Sequence, residues 1–189
     1  MVNHPTVFDL FPILALVKND FIHVLIEEQI WSFALARFFM KISNQVCLKT
    51  GIRFQESMED SLFLLKNGHS IVMSPEGGRT HPDEKARGRK SVVRMLFEAK
   101  VPVLPVGVWL PKRNIIIKDV HYDFQGSQYV DKAHFPRFRT RYGTVFGEPI
   151  FFNEFFSRDL TADQYQKIAD RILQATYELS DKARKLVQG

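Results

Sequence analysis

Apolar and polar positions along this chain follow two periods, and blocks of one period interleave with blocks of the other. Pro5 to about Lys18 reads as a helix entered through a turn, with Pro12 as a kink point. His23–Glu27 is a short β-rich run, and Gln45–Lys49 is a second. Between them Ile30–Ile42 is long, apolar and aromatic, and reads as a helix. Glu56–Lys66 has helical spacing through Met58, Leu62 and Leu65, and Asn67-Gly68 stops it. Ser70–Ser74 is a buried-strand pattern, and Ser91–Ala99 a helix. Pro102–Leu110 is nearly continuous in Val and Leu, as in a strand covered on both faces, with Pro105 marking a bulge or edge. Ile115–Lys118 and Thr144–Phe146 add strands. Thr161 to about Val187 is the clearest helix: Ile168, Ile172, Ala175, Leu179, Ala183 and Leu186 mark one face, and Thr161 fits an N-cap. Strands interleaved with helices predict an α/β fold.

Composition narrows the class. The chain has 189 residues, 45% of them apolar, with 17 Phe, which excludes disorder as its main state. No repeat and no Gly-, Ser- or Pro-rich linker divides it, so residues 1–189 read as a single domain. Cys47 is the only cysteine, which rules out an intrachain disulfide and fits a reducing compartment. It sits in an apolar run and reads as a small buried hydrophobe. The net charge of +5 and pI near 9.3 favour an anionic partner: nucleic acid, a phosphate-bearing substrate or an acidic membrane surface. The uncharged run Leu10–Val17 is too short to span a bilayer and contains Pro12. The N-terminus lacks a signal-peptide pattern, so a cytoplasmic location is expected, with surface attachment open.

Three patterns carry chemistry. In His4-Pro-Thr-Val-Phe-Asp9, residues five apart do not share a helix face, so His4 must lie in the turn before a helix and Asp9 in its first turns. The carboxylate can then fold back onto the imidazole, as an orienter does for a general base. The same spacing taken alone also fits an unrelated surface pair. Ser74-Pro-Glu-Gly-Gly-Arg79-Thr80 follows an apolar strand, where open α/β sheets bind ligands. Gly77 and Gly78 allow close backbone approach, Arg79 can fork onto a phosphate, and Glu76 can bond a hydroxyl or brace the loop. Val101-Pro-Val-Leu-Pro105-Val106 taken alone reads as a strand start. No pair among His23, His69, His81, His121 and His134 has metal-ligand spacing, so no metal is expected.

In this order the three patterns resemble the glycerolipid acyltransferases of the 1-acylglycerol-3-phosphate acyltransferase type. The resemblance runs from Asn3 to about Ile150, within Gly147-Glu-Pro-Ile. It implies a mixed, largely parallel central sheet with helices on both sides. It also implies acyl transfer from acyl-CoA or acyl carrier protein to a hydroxyl of a lysophospholipid or glycerol phosphate, in phospholipid biosynthesis. His4 would be the base and Asp9 its partner. Glu76, Gly77, Gly78 and Arg79 would hold the acceptor, with Arg79 on its phosphate. The family's further phosphate-binding arginine, at the end of a short strand, has no clean counterpart; Lys49 or Arg53 stands nearest, and Lys49 is taken for the acceptor. The family has Thr where this chain has Gly78, and Phe where it has Ser74. No cofactor is implied beyond the thioester co-substrate. The resemblance also implies a strand leading into His4, of which Val2 is the only remnant, and an N-terminal anchor that this chain is expected to lack. An anionic membrane surface is the expected partner, with the chain peripheral on the inner face of the membrane.

Two stretches bear on partners. Ile30–Ile42 suits either the core or insertion of its aromatic face into a lipid interface. The basic-aromatic tract His134–Tyr142 reads as a solvated edge strand that also suits lipid headgroups, CoA phosphates or single-stranded nucleic acid. Nucleic acid is not expected, since no recognised motif accompanies it. Two alternatives to the enzyme follow: a non-catalytic lipid-binding relative, and a basic nucleic-acid module resting on Arg137, Arg139 and Arg141.

Overall fold

The computed structural model describes residues 1–9, 12–13, 17, 22–31, 33–49, 51–78, 86–157 and 159–188. In chain order it forms β1 (Ile22–Glu27), α1 (Glu28–Trp31), α2 (Ala34–Ile42), β2 (Val46–Leu48), α3 (Phe54–Lys66) and β3 (Ser70–Val72). There follow α4 (Lys90–Ala99), β4 (Val106–Trp109), β5 (Ile115–Phe124), β6 (Ser127–Pro136), β7 (Gly143–Phe146) and α5 (Ala162–Gln188). Interleaved strands and helices bear out the α/β reading. Contacts divide the chain into two compact units. The first comprises Met1–Lys18, Ser74–Lys118 and Ala133–Gly189; the second, Asn19–Met73 and Asp119–Lys132.

The first unit is built on an antiparallel pair, β4 with β7, registered from Val106↔Phe146 to Trp109↔Gly143. Pro102–Leu110 is not one strand. Val103 pairs with Ile150 outside the ladder, and the sum of paired numbers rises from 252 at Val106 to 253 at Val103, a slip of one residue. The slip falls at Pro105, which has no N–H to give; its carbonyl accepts from Gly147 N instead (2.9 Å). On the other edge of β4 the chain's opening residues run parallel. Val2 bridges Val106, and Val106 N donates to Met1 O (2.7 Å). The Asn3 side chain then takes the place of a strand residue's backbone. Its Oδ1 accepts from Val108 N (2.7 Å) and its Nδ2 donates to Val108 O (2.8 Å). Asn3 is buried, and both halves of its amide are satisfied.

Helix α5 closes this unit. Buried Ile168, Ala169, Ile172, Leu173, Thr176, Leu179 and Ala183 recur at helical spacing, with Val93, Leu96, Phe97, Val103 and Phe152 in the core against its first half. Leu186, expected on that face, is exposed; in the last turn it is Val187, four residues after Ala183, that reaches Gly143 of β7. The N-terminus of α5 is a reciprocal capping box: Gln164 N donates to Thr161 Oγ1 (3.3 Å) and Thr161 N to Gln164 Oε1 (2.8 Å). The helix lies so close to β4 that a Cβ on Gly107 would sit 2.1 Å from Ser180 N and 2.2 Å from Leu179 C.

The second unit holds a parallel sheet of order β2-β1-β3, with Leu25↔Val46 and His23↔Ile71 among its registers. Parallel neighbours need crossovers, and α1–α2 and α3 supply them. Helix α3 stops where Gly68 takes φ +81°, as Asn67-Gly68 predicts. The expected helix Ile30–Ile42 is two helices. The Trp31 indole is held by Ile26 O (3.2 Å), and Phe33 takes extended angles (φ −75°, ψ 117°) before α2 begins. Cys47 is half-buried, not fully buried. The hairpin β5–β6 extends well past the expected Ile115–Lys118 strand. Its two-residue turn, Gln125-Gly126, has positive φ at both positions (51° and 79°), as a type I′ turn requires. Of the expected helix from Pro5 to Lys18, Pro12 and Ile13 are helical and Val17 N donates to Ile13 O (3.0 Å); residues 10–11, 14–16 and 18 lie outside the described residues.

Gly107→Ala should therefore force α5 off β4, because the atoms in the way are backbone. We expect a loss of at least about 2 kcal/mol of unfolding free energy, read from urea denaturation.

Candidate active site

The first pattern folds partly as the spacing predicts: His4 precedes a tight turn over residues 5–9, and Asp9 closes it, but residues 5–9 are turn and not the expected first turns of a helix, because the Asp9 carboxylate folds back onto Thr6 and His4. The carboxylate is wholly buried and gathers donors from its own turn. Thr6 N donates to Asp9 Oδ2 (2.7 Å) and Thr6 Oγ1 to Asp9 Oδ1 (2.5 Å). His4 Nδ1 lies 3.1 Å from Asp9 Oδ2. An ionised carboxylate only accepts, so Nδ1 carries the proton and Nε2 keeps a free lone pair. The His4 side chain is 22% exposed against 0% for Asp9. The imidazole thus reaches solvent while its partner does not.

A further layer holds the turn. Tyr142 Oη lies 3.0 Å from Thr6 Oγ1. The single hydroxyl proton of Thr6 goes to Asp9, so the phenol donates and Thr6 accepts; Phe8 N also donates to that oxygen (3.3 Å). His134 clasps the turn from β6: its carbonyl accepts from Val7 N (3.0 Å), and its Nδ1 is 3.2 Å from Pro5 O. The expected solvated edge strand His134–Tyr142 is therefore only partly so. His134 is buried and Tyr142 is half-buried in this network, while Phe138 and Arg139 face solvent.

The second pattern reaches the first through Glu76. This buried carboxylate accepts from His4 N (3.2 Å), which fixes the backbone at the base of the imidazole. Glu76 lies within a turn in which Gly77 N donates to Ser74 O (3.3 Å). Arg89 straps that turn, donating N to Pro75 O (2.9 Å) and Nε to Glu76 O (3.2 Å). Gly77, at φ +72°, leaves room for this strap; a Cβ there would lie 2.5 Å from Arg89 Nε. Gly78 has open space around its α-carbon. Arg79 lies outside the described residues.

Residues 1–109 match the family model described as Acyltransferase. The chain belongs to the acyltransferase family. Among solved structures it is similar to the crystal structure of the 1-acyl-sn-glycerophosphate (LPA) acyltransferase PlsC from Thermotoga maritima, with a TM-score of 0.61 and 21% sequence identity. The likeness covers 94% of this chain and 64% of that one, so the chain spans just under two thirds of the length of PlsC. It carries the fold: a mixed α/β arrangement of parallel sheet and helices. No curated protein sequence matches.

Within this acyltransferase fold, the structure brings together His4, Asp9, Glu76 and Gly77. Lys49 belongs to the other unit and is already partnered: its ammonium donates to Glu56, and that hydrogen bond holds it above the ordinary 10.5. Arg53 bonds Glu28 (2.9 Å). Burial pushes the Cys47 thiol up, with Glu28 adding to the shift, so this sulfur is a poor nucleophile. Among the described residues no group of three His, Cys, Asp or Glu could hold a metal, and no helix is long and apolar enough to cross a membrane. Sequence reasoning missed Thr6 and Tyr142 as parts of the site. Thr6 was visible as the one hydroxyl inside the His4–Asp9 turn; for Tyr142, 136 residues away, no local signal exists.

Burial raises the Tyr142 phenol above its ordinary 10.0, and the Asp9 charge adds to this. A raised folded value means that the stabilisation is complete below the unfolded value and is lost as pH climbs through the folded one. Between about pH 9 and 11, the wild type should lose urea resistance more steeply than Tyr142→Phe. Parallel pH profiles would remove the phenol from the network.

Proposed function

We propose that the chain moves a fatty acyl group from acyl-CoA or acyl carrier protein to a hydroxyl of a lysophospholipid or glycerol phosphate, in phospholipid biosynthesis. The observation that carries this reading is the His4–Asp9 pair: a buried, three-donor carboxylate that accepts a hydrogen bond from Nδ1 and leaves the Nε2 lone pair of a partly exposed ring as the base. A relative that only bound lipid would gain nothing from so costly a buried charge.

As the acceptor hydroxyl oxygen attacks the thioester carbonyl carbon, its proton passes to His4 Nε2. The carbonyl π electrons move onto oxygen, giving a tetrahedral oxyanion. Asp9 offsets the imidazolium charge formed next to it. When the oxyanion collapses, the carbon–sulfur bond breaks. The departing sulfur takes the proton back from Nε2, leaving an ester, a thiol and neutral His4. No serine or cysteine nucleophile enters. Glu76, Gly77, Gly78 and Arg79 would line the acceptor, with Arg79 on its phosphate. Glu76 contributes chiefly by bracing, since its Oε1 is engaged by the His4 amide. The net charge of +5 supports work at the anionic inner face of a membrane, peripherally bound.

A mass-spectrometric screen over several lysolipids, glycerol 3-phosphate and both thioester donors would identify the pair used. In that assay His4→Ala should lower turnover by about 1,000-fold or more with an unchanged circular dichroism spectrum. Asp9→Asn should lower kcat at least about 100-fold by misorienting the imidazole. Full activity in His4→Ala would sink the reading.

A further inference from the structure

The chemistry above makes no use of the surface of α2. On α2, Leu35, Phe38, Phe39 and Ile42 follow the spacing i, i+3, i+4, i+7, and at about 100° per residue they share a stripe roughly 100° wide. Such a stripe ordinarily faces a core. Here the four side chains are 71%, 58%, 60% and 67% exposed, and no residue of α2 is buried. The Phe38 and Phe39 rings meet edge to face, with centroids 5.6 Å apart. Phe33, just before the helix, is exposed as well. Lys41 is exposed on the adjoining flank, roughly 60° round from Phe38; Arg37 is exposed roughly 100° round from Phe38, nearly opposite the middle of the stripe, and α2 contains no acidic residue.

The charge pattern selects the occupant. A packed protein interface would leave both cations to find acidic partners on a matching surface. An anionic bilayer supplies both requirements in one plane: acyl chains for the stripe and phosphates for Arg37 and Lys41, whose long stems reach from an apolar contact to the headgroups. We infer that α2 lies in the interface of an anionic membrane, with Leu35, Phe38, Phe39 and Ile42 immersed and Arg37 and Lys41 at the lipid phosphates. The inference names the membrane contact of the proposed reaction and rests on that reading for the substrate it serves, but the binding itself requires no turnover.

The test is flotation of the full chain with vesicles of phosphatidylcholine, with and without phosphatidylglycerol. Wild type and His4→Ala should both bind the anionic vesicles, which separates this contact from catalysis. Phe38→Ser/Phe39→Ser should bind at least about tenfold more weakly with an unchanged melting curve, since both positions are exposed. Arg37→Glu/Lys41→Glu should lose the preference for phosphatidylglycerol. In Phe38→Trp, the added indole emission should shift to the blue on vesicles. Undiminished binding by Phe38→Ser/Phe39→Ser would overturn the inference. So would a wild type that ignores anionic vesicles while transferring acyl groups to a soluble acceptor. A wild-type dimer that Phe38→Ser/Phe39→Ser converts to monomer would overturn it too, giving the stripe to a second copy.

Discussion

The buried carboxylate of Asp9 is the constraint around which the site is arranged. A charge with no access to water is tolerable only when its oxygens are filled by donors held at bonding distance. Two of the three donors come from Thr6, three residues earlier in the same turn, and the third is the imidazole it orients. The conformation of the turn and the tautomer of His4 are thus one problem with one solution. If the turn opened, the carboxylate would be left buried and under-bonded, so the turn is fixed by the charge it surrounds.

The rest of the first unit keeps that arrangement in place. Asn3 sets the chain on β4 one residue before the imidazole, and Glu76 holds the His4 amide itself. His134 and Tyr142, from the far side of the sequence, fix Pro5, Thr6 and Val7. Strand β4 in turn is held against α5 by the absence of a side chain at Gly107. A path therefore runs from the packing of a 27-residue helix to the orientation of a single ring. This is why the His4 imidazole sits on a short turn yet is anchored to the packed core of its unit.

Much of this was legible in the sequence because it is local. His-x4-Asp forces a turn, Thr161 marks an N-cap, and Asn67-Gly68 ends a helix by backbone conformation alone. Val-Pro-x-x-Pro located both a strand and its slip, since a proline cannot donate to a ladder. What escaped was of two kinds. Gln125-Gly126 is a turn signal that was present but lies in a polar, weakly patterned hairpin, where Val120, Tyr122 and Phe124 alternate without a long apolar run. The roles of Tyr142 and His134 are different, being tertiary pairings across more than a hundred residues. The split of Ile30–Ile42 and the exposure of its aromatic stripe likewise depend on what packs against it. Hydrophobicity tells how much apolar surface a helix carries, not whether anything covers it.

The amide of Asn3 also decides how this site ages. Asparagine is lost chemically when the following backbone nitrogen attacks the side-chain carbonyl and closes a five-membered imide, which then opens to a carboxylate. Here that nitrogen belongs to His4 and is bonded to Glu76, while the Asn3 side chain is pinned at both ends to Val108. Neither partner can turn towards the other. The contacts that set the imidazole in position also shut the route by which a carboxylate would appear facing the Val108 carbonyl and drive the opening residues away from β4. Chemical durability at the Asn3–His4 junction is thus a by-product of preorganisation, and any change that loosens Glu76 would expose the junction to slow deamidation as well as misplacing the ring.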